Sequence, residues 1–145
     1  MFRAAKFAVA SALGFLIAEG VLVLEVMQVY HTTSVPAITY TSPLLLGLDA
    51  LALGVGVTAA FMVNERVTVK GERRGSGPRS WLVRWGKYQL ASLLGNVLIV
   101  IVQLALLAML SLSPVYGSVV GAVATYPVTY VASMRFVWMV NPLRG

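Results

Sequence analysis

Residues 6–16 read KFAVASALGFL and residues 87–97 read KYQLASLLGNV, with Lys, Ala, Ser, Leu and Gly identical in register. The similarity resumes downstream, where SPLLLG from Ser42 parallels SPVYGS from Ser113 and FMVNERVTV from Phe61 loosely parallels YVASMRFVW from Tyr130. A unit that recurs in this way is a supersecondary element present twice. Each copy holds two apolar segments, so the unit is a helical hairpin. Two crossings per copy return the chain to its starting side, which makes this a parallel repeat about an axis along the membrane normal. The expected fold class is all-α, an integral membrane protein of four transmembrane helices in a pseudo-symmetric bundle.

Composition supports the bilayer as solvent. Of 145 residues, 59% are hydrophobic and 11% charged, with mean hydropathy +0.84, whereas soluble domains carry about 25% charged residues. Apolar blocks of roughly 20 residues, the length that crosses hydrocarbon, alternate with short polar breaks. They are expected as helices over about 7–30, 44–63, 88–112 and 115–139 in a single domain covering residues 1–145. Arg3 and Lys6 ahead of the first block suggest a signal peptide, but the block exceeds a typical h-region and equally apolar chain follows, so it is expected to be retained. The pI of about 10.1 is not a nucleic-acid signal in such a chain. With no cysteine and the single histidine His31, neither a disulfide nor a Cys or His metal site can form, and no cofactor is expected.

Orientation follows from Lys and Arg, which mark cytoplasmic connections. Seven of the eleven basic residues fall in VNERVTVKGERRGSGPRSWLVRWGKYQ, residues 63–89, read as a basic cytoplasmic loop over about 64–87. Arg3 and Lys6 precede the first helix, and Arg135 and Arg144 end the fourth. Neither outer connection holds Lys or Arg, a split of eleven against zero. Both termini are therefore expected on the cytoplasmic side of a multi-pass cell-membrane protein.

Small residues predict where helices meet. Ala10, Gly14 and Ala18 follow a small-xxx-small spacing, as do Ala91 with Gly95, and Gly117 with Gly121. These faces serve packing within one bundle, or a homo-oligomer. Pro127, within TYPVTY, is expected to kink the fourth helix, with the Thr125 or Thr129 hydroxyl satisfying a freed carbonyl.

Lys6 and Phe7 open the first helix, Asn64 and Arg66 close the second, Lys87 and Tyr88 open the third, and Arg135, Phe136 and Trp138 end the fourth. In these features, spread over nearly the whole chain, the sequence resembles the GtrA-like family of small four-helix membrane proteins. It departs from the family pattern of Asn immediately before the arginine: Glu65 intervenes in the first copy, and Ser133 and Met134 stand there in the second. The resemblance implies a flippase for polyprenyl-phosphate-linked monosaccharides in cell-surface polysaccharide or glycan synthesis, or a membrane subunit that anchors and orients a cytosolic glycosyltransferase.

A sugar phosphate crossing hydrocarbon needs a polar, hydrated groove, while its isoprenoid tail stays in lipid. Glu19 lies mid-helix, where an ionised carboxylate costs on the order of 3 kcal/mol or more unless it neutralises, pairs or meets water. Glu25 and Asp49 lie nearer the outer surface, where a carboxylate reaches water. Asn96 and Gln103 share one face of the third helix. Two readings stay open for Glu19: a groove residue that accepts sugar hydroxyls or carries a coupling proton, or a protonated Glu bonded to Asn96 or Gln103, which otherwise act as interhelical glue.

Lys6, Arg66, Lys87 and Arg135 recur at helix ends in both copies and form the expected phosphate-binding ring, with interfacial snorkelling as the simpler alternative. Lys70, Arg73, Arg74, Arg79 and Arg84 belong to the loop, where each adds about 1 kcal/mol of attraction to anionic lipid. Trp81 and Trp85, four residues apart, suit an interfacial amphipathic helix with Arg84 at its rim, or a docking surface for a glycosyltransferase. Catalysis is not expected, because the loop offers only Glu65 and Glu72 as carboxylates and no convergent His or Cys. A small multidrug-type cation exporter also has four helices and a central Glu. A basic inner loop and a cationic ring suit an anionic ligand better.

Overall fold

The computed structural model describes residues 3–30, 43–71, 77–110 and 114–142. Four long helices are present: α1 (Arg3–Tyr30), α2 (Pro43–Val63), α3 (Pro78–Leu110) and α4 (Pro114–Ala132). Two of them end alike. α2 widens into a π-helical turn at Asn64–Thr68, and α4 into another at Ser133–Trp138. No strand occurs among the described residues.

Three of the four helices begin with proline at the first helical position, where the missing N–H would have no intrahelical partner anyway. At the start of α3, the Ser80 hydroxyl and the Trp81 N–H both donate to the Gly77 carbonyl, at 2.9 and 3.0 Å. α3 thus begins at Pro78 instead of about residue 88, and the π turn extends the preceding helix through Thr68. The stretch from 64 to 87, expected as a loop, is mostly helical among its described residues, of which only Val69, Lys70, Gly71 and Gly77 lie outside helices. Arg73 and Arg74 are in the part of that connection outside the described residues.

Contacts divide the chain into two compact units, residues 4–70 and residues 71–145, with Arg3 grouping with the second. The boundary falls between the two sequence copies. In the first unit α1 and α2 meet along small residues. Ala10, Gly14 and Ala18 are buried on α1, and Ala52, Gly56 and Ala60 are buried on α2. A Cβ on Gly14 would lie 2.6 Å from the Gly56 carbonyl oxygen, and one on Gly56 would collide with the Gly14 carbonyl. The two backbones touch, as small-xxx-small faces permit.

In the second unit α3 and α4 pack on the corresponding faces. A Cβ on Gly95 would lie 3.1 Å from Thr129 Oγ1, and one on Gly121 would lie 3.0 Å from the Ile99 carbonyl oxygen. Here Gly121, Thr125 and Thr129 take the places of Ala52, Gly56 and Ala60. The Thr125 hydroxyl donates to the Gly121 carbonyl at 2.8 Å and the Thr129 hydroxyl to the Thr125 carbonyl at 3.1 Å. Neither bonds the Val123 carbonyl, the acceptor that Pro127 leaves without its i+4 donor. The threonines satisfy their own α4 face, and α4 runs from Pro114 to Ala132 through the proline.

Large apolar side chains face outward: Val9, Phe15 and Leu16 on α1, Leu51 on α2, Leu94 on α3 and Val123 on α4 are exposed. A chain in water would bury them, whereas lipid is as apolar as they are. Among the described residues, the stretches Arg3–Val29, Ala50–Thr68 and Pro78–Val102 are long and apolar enough to cross a membrane. The chain is an all-helical membrane protein with three such spans and a fourth helix.

Candidate functional site

The functional candidates gather at the ends of the two hairpins, where the π turns set their orientation. A π turn holds about 4.4 residues instead of 3.6, which keeps positions i, i+1, i+4 and i+5 on one side. In the first copy Asn64, Glu65, Thr68 and Val69 are buried while Arg66 and Val67 are exposed. In the second, Ser133, Met134, Val137 and Trp138 are buried while Arg135 and Phe136 are exposed. The residue types differ and the pattern is the same. Each π turn turns its arginine outward.

The buried positions of the two turns are filled differently. In the first, the Thr68 hydroxyl donates to Asn64 Oδ1 at 2.7 Å, and Val69 N–H closes on the Asn64 carbonyl at 3.0 Å. In the second, Trp138 packs on Tyr88 with ring centroids 5.4 Å apart. Val140 N–H reaches the Met134 carbonyl at 2.9 Å, with Met139 left-handed at φ 56°. Two further donors fix the following chain: Arg3 bonds the Asn141 carbonyl at 2.7 Å, and the Tyr130 hydroxyl bonds the Pro142 carbonyl at 3.0 Å.

Of the four cations expected to bind phosphate, Lys6, Arg66 and Arg135 are exposed and Lys87 is half-buried. Lys87 Nζ lies 5.2 Å from the centroid of the Phe136 ring. Lys6, Arg66 and Arg135 make no hydrogen bond or ion pair among the described residues. Their donors are available to a ligand.

Arg84 is not a loop residue at the rim of a separate helix. It is 7% exposed, within α3, on the same face as Tyr88, Ala91 and Gly95. The reason is the early start of α3, whose spacing of four, three and four residues carries the packed face back to Arg84. Arg3 stands in the same relation to Phe7, Ala10 and Gly14, and is 8% exposed. The repeat therefore begins three residues before the lysines, at a pair of buried arginines that the sequence reading assigned no shared role. The signal was available: Arg3 and Arg84 are in register with Lys6 and Lys87. Trp81 and Trp85 are half-buried on α3 itself, and Arg79 is exposed in its first turn, so no independent interfacial helix stands between α2 and α3 among the described residues.

The polar candidates within the helices are not gathered. Glu19 is exposed on α1, and Asn96 is half-buried on α3. Neither makes a hydrogen bond among the described residues. Asp49 and Gln103 belong to α2 and α3, but their side chains lie outside the described residues. Glu25 is half-buried, with Oε2 enclosed and without a hydrogen-bond partner among the described residues.

A family model described as GtrA/DPMS, transmembrane domain, matches residues 6–138. The chain belongs to the GtrA/DPMS transmembrane-domain family. The matched stretch opens on Lys6, the first residue of the repeat as read from sequence, and closes on Trp138, the last residue of the second π turn. Both duplicated ends are thus inside the GtrA/DPMS match, as are Arg84 and the cation pairs. No curated protein and no solved structure matches the chain. Membership in the GtrA/DPMS family associates the chain with polyprenyl-phosphate sugar translocation or glycan synthesis in a membrane.

Proposed function

We propose that this GtrA/DPMS-family chain is a flippase that moves a polyprenyl-phosphate-linked monosaccharide from the inner to the outer leaflet, with four membrane spans and both termini cytoplasmic. It makes and breaks no covalent bond in this role. Each hairpin end offers the phosphate a cation pair, Lys6 with Arg66 in the first and Lys87 with Arg135 in the second. The observation that supports this reading best is the conserved burial pattern of two chemically different π turns, each leaving an arginine exposed and unpaired among the described residues. Snorkelling alone would set no such requirement on the turn. An outward guanidinium keeps the paired donors that match a phosphate.

A second reading is favoured by the exposure of Lys70, Gly77, Pro78 and Arg79 around the α2–α3 connection. A non-transporting subunit would use that basic surface, with Arg73 and Arg74, to hold a glycosyltransferase against the bilayer. Purified protein in liposomes separates the two. Transfer of a polyprenyl-phosphate sugar is followed by access of an impermeant reagent, with Arg66→Ala/Arg135→Ala and Glu19→Gln beside the parent. A flippase should lose at least tenfold in transfer rate when both arginines go, each charge-assisted contact contributing about 1.5–3 kcal/mol. Parent protein that does no better than empty liposomes would remove the transport reading and leave the subunit.

A further inference from the structure

The two hairpin ends differ in how firmly they hold their lysine. In the second, Lys87 Nζ sits 5.2 Å from the centre of the Phe136 ring, within the range of a cation–π contact. Phe136 follows Arg135 in the π turn, and both are exposed. In the first, Val67 stands at the position of Phe136, and an aliphatic side chain has no quadrupole to attract an ammonium. Lys6 is exposed and makes no hydrogen bond or ion pair among the described residues.

We propose that the end of the second hairpin, Lys87 and Arg135 beside Phe136, is a preorganised phosphoester-binding site, and that the first end, Lys6 with Arg66, binds the same group more weakly. The inference rests on the transport reading for why a phosphoester would come to this surface. A lysine gives up rotamer freedom when it grips an anion. Where a ring already holds the ammonium, part of that loss has occurred on folding, and affinity rises accordingly. The ring attracts the cation without neutralising it, so the ammonium keeps its three donors. Arg135, next to Phe136 in the chain and exposed with it, supplies planar, paired ones.

Calorimetric titration of the purified full chain in detergent tests the ordering, with farnesyl phosphate as the lipid probe and inorganic phosphate as the free one. Phe136→Leu should weaken binding roughly two- to fivefold, the range an exposed cation–π contact supplies. Lys87→Gln should weaken it more than Lys6→Gln does. The mirror substitution Val67→Phe should tighten binding, a result that a poorly folded variant cannot produce. Response of farnesyl phosphate alone assigns the site to a lipid headgroup, and equal response of inorganic phosphate assigns it to the free anion; both outcomes support recognition of the phosphate group. Equal losses from Lys6→Gln and Lys87→Gln, or unchanged affinity in both Phe136→Leu and Val67→Phe, would overturn it. Because binding and transfer are measured separately, the proposed ordering without liposome transfer removes the transport reading and leaves the inference standing. Transfer without that ordering does the reverse.

Discussion

Glycines two residues apart on α2 make opposite demands. A methyl on Gly56 would meet the Gly14 carbonyl and stand 2.6 Å from the Ala18 Cβ, while nothing lies within 4 Å of a Cβ built on Gly54. The first clash is with backbone and a short side chain, neither of which can swing away, so the helices must part. Overpacking of this kind costs about 1–3 kcal/mol, whereas glycine replaced by alanine in an open helical position gains about 0.5–1 kcal/mol. Gly56→Ala should therefore lower the thermal unfolding midpoint in detergent and Gly54→Ala should leave it level or raise it. Gly95→Ala should fall between them, because its Cβ would meet the Thr129 side chain at 3.1 Å and a small shift there relieves the contact. Equal effects at Gly54 and Gly56 would mean that α1 and α2 do not touch backbone to backbone.

At the scale of the element, the two π turns bury the same positions with different chemistry, and a paired exchange shows what each filling contributes. Thr68→Val, which places the second copy's residue in the first, removes the donor to Asn64 Oδ1 and should cost about 1–3 kcal/mol, since the buried amide loses that hydrogen bond. Adding Asn64→Ser brings in the second copy's other residue and removes the amide that lost the Thr68 donor, so the double variant should recover part of the loss in thermal unfolding; additive losses would show that the two side chains are not coupled. Much of this element was legible in the sequence, and the illegible part has physical causes. The pairing of VNERVTV with SMRFVW and the small-residue faces at Gly14 and Gly95 were readable because shape repeats in residue type. The widening to π geometry was not, because one additional residue per turn leaves no mark in composition, and Glu65 reads as solvent-facing although it is 3% exposed. The Trp81 and Trp85 spacing was legible as helical, but the charge of residues 78–87 pointed to a separate interfacial helix within a loop, whereas Pro78 starts α3 itself. Thr125 and Thr129, expected to bond the carbonyl that Pro127 releases, instead donate to the Gly121 and Thr125 carbonyls. For the site, the exposed arginines were legible as duplicated cations. The buried pair Arg3 and Arg84 was not, because arginine on a packed face contradicts its usual exposure.

At the scale of the molecule, helix length and charge make a joint claim about how the chain lies in the bilayer. α3 has 33 residues, which at 1.5 Å per residue is about 50 Å, against a hydrocarbon thickness of about 30 Å. Several turns must project beyond the hydrocarbon, and the polar first turns from Pro78 to Lys87 are the end chemically suited to do so. In the proposed topology the α2–α3 connection then lies in water on the side where Lys and Arg accumulate, and the bias of eleven against zero is what makes the cytoplasm the expected side. The chain contains no cysteine, so an introduced one is its sole thiol and reports its own location. A membrane-impermeant maleimide added to intact cells should label His31→Cys and leave Gly77→Cys and Arg144→Cys unlabelled until the membrane is permeabilised. Labelling of Gly77→Cys from outside would invert the protein and put both cation pairs in the outer leaflet, where a headgroup arriving from the cytosol could not meet them first. Labelling of Arg144→Cys from outside with Gly77→Cys protected would mean an odd number of crossings after the connection, and the two copies could then not be parallel hairpins.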